Sequence, residues 1–281
     1  MAALKPRAVK SGAGIHVQYQ FARRAVMRIA AAAFAVSFAL PLAARAEAPR
    51  CDARINQVRF ANPLSRVAHK LTAKEPITIV AIGSSSTAGA GASSPAATYP
   101  SRLQAELRER FKTDAITVVN RGVGGEEVAD MLKRFDQAVV AAKPDLVIWQ
   151  LGTNSVIRDH KVADHGAAIR SGIERIRSTG ADIVLLDPQD APKVIAKAGA
   201  AAMVELIAMT AKQEDIDLYP RFEVMRHWVN DEHLDFKTFV SADGLHMNDW
   251  SYGCLAKSLG LAIAEAAQRP VLSAAVRAFA D

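Results

Sequence analysis

Residues 77–87 read ITIVAIGSSST, and the rest of the chain is best interpreted outward from them. The first six residues form a mostly apolar run between Pro76 and Gly83, and such a run predicts a buried strand. The small polar residues after it predict a turn at the carboxyl end of that strand. Because open α/β sheets bind their ligands at this end of the strands, the turn is a candidate functional site.

Strand-like and helix-like segments alternate through the rest of the chain. Further strands are predicted at 116–119, 146–151, 183–186 and 216–219. Helices are predicted from Pro100 onward and at about 126–143, 167–178, 200–213 and 249–280. Repeated strand–helix–strand units with near-continuous apolar strands predict a parallel sheet with helices on both faces. The spacing leaves no room for a second core, so residues 47–281 are predicted to form one domain, with no assignment for 47–75.

The positive charge of the chain is concentrated at its amino terminus. The formal net charge is +6, but residues 1–46 contain seven Lys or Arg residues and no Asp or Glu. The remainder therefore carries a formal charge of −1. This distribution removes the basic surface that nucleic-acid binding requires, so no nucleic-acid partner is predicted.

Residues 1–46 have the pattern of a cleaved export signal. Three arginines precede an uncharged stretch from 29 to 44, and Ala44-Arg45-Ala46 fits a small-x-small cleavage site. The stretch is short for a membrane span, which needs about 20 apolar residues. A retained anchor or a helix of the domain are the alternatives, and Met27 is an alternative start. The pattern predicts a periplasmic or secreted protein with no stable membrane span after signal removal.

Cys51 and Cys254 are the two cysteines of the chain, and both lie in the part predicted to be exported. Oxidising compartments favour disulfides, so a bridge between these residues is one expectation. Two unpaired, buried thiols are the alternative. Two cysteines without a suitably spaced His pair do not form a zinc site, and no metal is predicted.

Polar or glycine-rich turns follow the first three predicted strands, and an Asp–His pair precedes the terminal helix. The blocks are 83–87, 120–125, 152–155 and Asp243-Gly244-Leu245-His246. In a parallel sheet these blocks converge on one edge. Taken in order, they read Gly-x-Ser-x-Thr, Asn-x-Gly-x-x-Gly, Gly-x-Asn and Asp-x-x-His.

In this order of blocks the chain resembles the SGNH, or GDSL-type, serine hydrolases over about residues 77–265. The resemblance implies a three-layer α/β/α sandwich with a mostly parallel, flavodoxin-like sheet of about five strands. It implies Ser85 as nucleophile, His246 as general base and Asp243 as the carboxylate that orients it. It implies an oxyanion hole formed by the backbone N–H of Ser85, the backbone N–H of Gly125 and the side chain of Asn154, with no cofactor.

The residue types suit these roles. A serine hydroxyl becomes a strong nucleophile when an imidazole takes its proton, and the imidazole needs a carboxylate to fix its tautomer. The chain departs from the family at Ser84, where Asp is usual, and at Ser155, where Asp often follows Asn. A plain solvated serine turn and a surface histidine are the alternatives that the downstream Asp–His pair disfavours.

Further residues on this edge are candidates for substrate contact. They are Ser84, Arg158 and Gln189, the last within the turn Asp187-Pro188-Gln189-Asp190 that could also be purely structural. The glycine-rich block at 122–125 lacks the spacing and the acidic partner of a dinucleotide loop, and no Gly-Lys-Ser/Thr motif follows the first turn.

These observations favour an exported serine esterase that removes small acyl groups, such as acetyl, from a carbohydrate or cell-wall polymer. A thioesterase or lysophospholipase with longer acyl substrates is the first alternative, so the ester partner could be an acylated carbohydrate, a lipid or a thioester. A non-catalytic carbohydrate-binding or assembly protein on the same fold is the second.

Overall fold

The computed structural model describes Cys51 and residues 58–269 of the chain. Within them lies a five-stranded sheet in which all neighbouring strands are parallel. Its strands are β1 (Ile77–Gly83), β2 (Ile116–Gly122), β3 (Leu146–Gln150), β4 (Asp182–Leu186) and β5 (Asp217–Tyr219). The spatial order is β2-β1-β3-β4-β5, which is the flavodoxin-like order. The predicted fold class is confirmed.

Helices connect the strands and extend the described chain at both ends. The α-helices are α1 (Ser65–Ala73), α2 (Ser85–Ala88), α3 (Tyr99–Phe111), α4 (Val128–Lys133), α5 (Phe135–Ala138), α6 (Thr153–Ile157), α7 (Gly166–Arg177), α8 (Pro192–Ile195), α9 (Ala200–Gln213), α10 (Arg221–Asn230), α11 (Phe236–Phe239) and α12 (Asp249–Gln268). Three short 3-10 helices lie at Pro95–Ala97, Val140–Ala142 and Val162–His165.

The helices form a layer on each face of the sheet. On one face α3 packs along α12, and α1 also contacts α12. On the other, α7 contacts both α4 and α9. The central strands β1 and β3 are buried on both sides, which explains their near-continuous apolar sequences. The chain leaves β1 and β3 in opposite directions, so the crevice between their carboxyl ends is the switch point where such folds bind ligands.

The opposite, amino-terminal edge of the sheet is closed by the segment before β1. Asp217 accepts hydrogen bonds from the backbone N–H groups of Ala61 and Asn62, at 2.8 and 3.1 Å. Asp182 accepts bonds from the N–H groups at the start of α1, including one from Val67 at 2.9 Å. Carboxylates at the beginnings of two strands thus satisfy backbone donors that would otherwise lack partners. The carboxyl edge remains for a site.

Helix boundaries account for most of the differences from the sequence-based expectations. The single helix predicted at 126–143 is wrong, because Arg134 interrupts it with a non-helical backbone (φ −108°, ψ 10°). The helix predicted at 200–213 matches α9 in full. Helices α1 and α10 were not predicted.

The predicted signal at residues 1–46 lies outside the described residues, as does the end of the helix predicted at 249–280. The signal, and the part of that helix after Gln268, therefore stay predictions. No helix in the described part of the chain combines the length and apolarity that a bilayer span requires.

Candidate active site

The turn after β1 exposes one of its three serines. Ser84 and Ser86 are 2% and 1% exposed, whereas Ser85 at the start of α2 is half-buried and reaches the surface. Ser84 is held inward, since its backbone N–H and its hydroxyl both donate to Gln150 Oε1, at 2.8 and 3.1 Å. The local packing therefore selects Ser85 as the accessible hydroxyl.

The turn from Ser241 to His246 is built around the Asp243 carboxylate. Asp243 Oδ1 accepts bonds from Ser241 Oγ at 2.8 Å and from the backbone N–H groups of Leu245 and His246, both at 2.9 Å. Asp243 Oδ2 lies 2.5 Å from His246 Nδ1. Burial works to raise the pKa of Asp243, but these hydrogen bonds, that of the His246 ring foremost, hold it well below its usual value. Asp243 is thus an anion beside the imidazole.

The two turns meet, although 161 residues separate them in sequence. His246 Nε2 lies 2.8 Å from Ser85 Oγ, within the range for direct proton transfer. With Nδ1 donating to Asp243, the neutral imidazole presents an unprotonated Nε2 to the serine hydroxyl. The arrangement can take a proton from Ser85 and hold the resulting positive charge next to a carboxylate.

Two glycines and an asparagine lie beside this contact. A Cβ placed on Gly124 would lie 3.9 Å from Ser85 Cβ, so the 123–125 backbone passes close to the serine. Gly125 is exposed with φ +80°, a conformation that favours glycine. Asn154 is half-buried, and its Nδ2 donates to Glu126 O at 2.8 Å, which leaves a second N–H on the same nitrogen. The residues expected to form an oxyanion hole therefore come together at this edge.

The three candidates for substrate contact are placed differently from the expectation. Ser84 and Gln189 are buried, and Gln189 accepts a bond from Thr153 Oγ1 at 2.9 Å and donates to Leu245 O at 3.1 Å. Ser84 bonds the last residue of β3, and Gln189 joins α6 to the turn before His246, so both buried side chains have structural partners. Arg158 is exposed, but two of its nitrogens already donate to protein acceptors.

Glu127 is a residue of this edge that sequence reasoning missed. Its carboxylate lies 2.8 Å from Ser155 Oγ, 2.5 Å from Arg158 Nη1 and 2.9 Å from His160 Nδ1. Ser155 therefore bonds a carboxylate from a different loop instead of contributing one itself. No spacing in the sequence links Glu127 to these partners, which lie 28 to 33 residues away.

The turn after β4 is a buried polar structure. Asp187 is fully buried, and its Oδ1 accepts a bond from Phe222 N at 2.9 Å. Burial raises the pKa of Asp187 to about 7, although the Phe222 N–H and the nearby Arg221 guanidinium oppose the shift. Arg221 is itself buried and donates to the Asp187 backbone carbonyl at 2.9 and 2.6 Å. Of the two readings of this turn, the structural one fits its burial.

Cys51 and Cys254 form a disulfide, with Cα atoms 5.4 Å apart. Cys254 lies in the first half of α12, so the bridge fastens Cys51, before β1, to this helix. Among Cys51 and residues 58–269, no group of three His, Cys, Asp or Glu side chains is arranged to hold a metal ion.

Comparison with known proteins gives concordant matches. The model of the non-GDSL lipase-like family matches residues 50–269. An arylesterase from Vibrio mimicus is 26% identical over 149 residues, which cover 53% of this chain and 69% of the arylesterase. An acetylxylan esterase from Geobacillus stearothermophilus is 30% identical over 83 residues, and the chain spans only 38% of its length.

A crystal structure of a catalytic mutant of Axe2, an acetylxylan esterase from Geobacillus stearothermophilus, has the same fold. The TM-score is 0.58 at 19% identity, over 67% of this chain and 94% of the other. At that identity the likeness is one of fold.

Proposed function

The chain belongs to the non-GDSL lipase-like family, and from this premise we propose that it is an SGNH-type serine esterase acting through Ser85. The observation that carries the proposal is the unbroken series Asp243–His246–Ser85, with contacts of 2.5 and 2.8 Å. Structures of the related acetylxylan esterase include catalytic mutants at a serine, an aspartate and a histidine, the same three residue types.

In the proposed reaction, Ser85 Oγ attacks the carbonyl carbon of a carboxylic ester while its proton passes to His246 Nε2. The carbonyl oxygen becomes an oxyanion, for which the N–H groups of Ser85 and Gly125 and the amide of Asn154 are the donors. The tetrahedral intermediate collapses as His246 gives the proton to the leaving alcohol. An acyl group then remains on Ser85.

Water completes the cycle by the same route. His246 takes a proton from the water, whose oxygen attacks the acyl carbon, and the carboxylic acid leaves as the proton returns to Ser85. Asp243 stays ionised throughout, because its hydrogen bonds hold its pKa low, and it stabilises the imidazolium in both steps.

For the substrate we infer a small acyl group, such as acetyl, on a carbohydrate or cell-wall polymer. The names of the relatives support this choice in part: both are esterases, and the acetylxylan esterase acts on an acetylated carbohydrate. The disulfide between Cys51 and Cys254 supports an oxidising location, in agreement with the export signal expected at residues 1–46. A periplasmic or secreted enzyme would meet such polymers.

The nucleophile is tested by labelling with a fluorophosphonate probe followed by mass spectrometry. We expect the wild-type protein to carry the label on Ser85, and the Ser85→Ala variant to be unlabelled and to lose all but background hydrolysis. Ser86→Ala is the matched control and should keep both. An unlabelled wild-type protein would instead favour a non-catalytic carbohydrate-binding or assembly role.

The acyl group is tested with p-nitrophenyl esters of increasing chain length. We expect kcat/KM to be greatest for acetate and to fall toward longer chains. A maximum at long chains would replace the acetyl proposal with the thioesterase or lysophospholipase alternative, while leaving the role of Ser85 intact.

A further inference from the structure

The loop that carries Gly125 is held in place by side chains of another segment. Arg158 Nη2 donates to the carbonyl oxygen of Gly125 at 2.9 Å, and Asn154 Nδ2 donates to that of Glu126 at 2.8 Å. Two successive peptide groups of the loop are therefore fixed from α6 and the residue that follows it. The Gly125 N–H belongs to the peptide group immediately before these two, so the contacts hold the chain directly next to that donor.

Arg158 is in turn held by Glu127. Its Nη1 lies 2.5 Å from Glu127 Oε1, so one planar guanidinium spans the carboxylate and the Gly125 carbonyl. Glu127 has a side chain only 12% exposed, whereas that of Arg158 is 45% exposed. Without the Glu127 carboxylate, the exposed Arg158 guanidinium would be held only by its bond to the Gly125 carbonyl, and it would point at the loop less often.

The Glu127 carboxylate also accepts hydrogen bonds from the Ser155 hydroxyl and the His160 ring, which belong to the same segment as Arg158. Its burial works to raise its pKa, but the hydrogen bonds from Arg158, Ser155 and His160 lower it below the usual value. The carboxylate is therefore ionised at neutral pH. Three donors directed at one anion fix the side chain in a single position.

We propose that Glu127 is a positioning residue that acts through Arg158 to aim the Gly125 N–H at the oxyanion of the reaction. The inference rests on the proposed esterase function, because it assigns a role in that reaction. It also gives Arg158 a task different from substrate contact. Because the donor must lie about 3 Å from the developing charge, a small displacement of the loop lowers the rate of the chemical step.

The test compares Glu127→Gln and Arg158→Lys with wild type, using p-nitrophenyl acetate. Glutamine keeps the shape of Glu127 but not its charge, and lysine keeps the charge of Arg158 but not the fork that spans two acceptors. We expect each variant to lower kcat by about 10- to 100-fold with KM changed by less than about threefold. The unfolding midpoint should stay near that of wild type.

Asp130→Ala is the matched control. Asp130 accepts a bond from the backbone N–H of Glu127 at 3.3 Å and lies in α4, so its loss perturbs the start of that helix but leaves both contacts of Arg158. We expect it to keep kcat within about twofold, since its side chain bonds the Glu127 backbone and takes no part in the contacts of Arg158 with the Glu127 carboxylate and with Gly125. An equal loss of kcat in Asp130→Ala would attribute the effect to the helix and overturn the proposal.

A double variant distinguishes one shared path from two independent effects. If Glu127 acts through Arg158, the Glu127→Gln/Arg158→Lys protein should be no slower than the slower single variant. Multiplying losses would contradict the inference, as would full kcat in both single variants of an active enzyme. A wild-type protein that neither hydrolyses esters nor reacts with the probe would contradict the esterase function itself.

Discussion

Two segments of the proposed site differ in the range of the contacts that hold them: the turn Ser241–His246, here the base turn, and the loop at 125–127, here the oxyanion loop after the role proposed for Gly125. From Ser241 to His246 most bonds are local, including Ser241 N to His246 O at 2.8 Å and Gly244 N to Ser241 O at 3.0 Å. Lys193 N and Gln189 Nε2 add two contacts from a distant segment, to the carbonyls of Gly244 and Leu245. The loop at 125–127 has local bonds as well, from Arg134 to Glu126 and from Glu127 N to Asp130. Most of its side-chain contacts, however, come from residues 28 to 33 positions away.

The difference teaches where each half of the site is vulnerable. A turn with short-range bonds keeps its internal geometry wherever the rest of the fold places it. A loop held by another segment depends on the position of α6, so substitutions outside the loop can displace its donors. The base turn should therefore respond mainly to changes in its own residues, and the oxyanion loop also to changes in α6.

The largest effect in this comparison is expected from Asp243→Asn. Asparagine cannot hold the tautomer that leaves His246 Nε2 free to accept a proton, and in a related constellation this change lowers kcat by about 10⁴. Steady-state hydrolysis of p-nitrophenyl acetate measures it. Asp249→Asn, which removes a carboxylate that bonds Ser93 near the same turn, should have little effect. A decrease in kcat of less than about tenfold for Asp243→Asn would show that Asp243 does not orient His246 in the reaction.

The next largest effect is expected from Asn154→Ala. Loss of one oxyanion donor costs about 10²–10³ in kcat, and here the tether to Glu126 O is lost as well. The control is Asn120→Ala, because Asn120 Oδ1 accepts a bond from Gly122 N at 2.9 Å at the start of the same glycine-rich stretch. Equal losses in the two variants would show that loop distortion alone explains the effect.

A matched pair of glycine variants compares the two regions directly. Gly125 has φ +80° and Gly244 has φ +69°, and at both positions a Cβ would make only ordinary contacts, at 3.6 and 3.9 Å. Alanine should strain either backbone by about 1–2 kcal/mol, which thermal unfolding would report as similar decreases in Tm. We expect about a tenfold loss of kcat for Gly125→Ala and a clearly smaller loss for Gly244→Ala. The reverse order would refute the contrast between the two regions.

The smallest effect concerns the turn after β4, whose Gln189 bonds Leu245 of the base turn and Thr153 of α6, the helix on which the oxyanion loop depends. The pKa of Asp187 is raised from 3.8 to about 7, so between these values the native state binds a proton that the unfolded chain does not. Stability should therefore fall as pH rises through this window, by at most about 1.4 kcal/mol per pH unit from this group.

Asp187→Asn mimics the protonated carboxyl and should flatten that pH dependence, with activity largely retained. Urea unfolding between pH 4.5 and 8 measures it, and Asp136→Asn, at an exposed carboxylate paired with Arg175, is the control. Parallel stability curves for Asp187→Asn and wild type would show that Asp187 does not titrate in this range.

The accuracy of the sequence-based predictions follows the range of the interactions involved. Strands β1 and β3 were found from their apolar runs, because burial on both faces leaves a signal in the residues themselves. The break in the helix predicted at 126–143 was missed, since Arg134 there bonds Glu126 and the carbonyl of Arg121. Such contacts leave no periodic signal.

The sequence by itself determined the alternation of strands and helices, the turns that end the strands and the Asp–His spacing of the base turn. These depend on burial and on bonds between near neighbours. For the serines, the resemblance already implied Ser85, but only the tertiary structure decided that Ser84 and Ser86 are buried while Ser85 contacts His246. It also decided that Glu127 and Arg158 hold the loop of Gly125. The physical reason is that these contacts join residues whose separation in the chain carries no information about their separation in space.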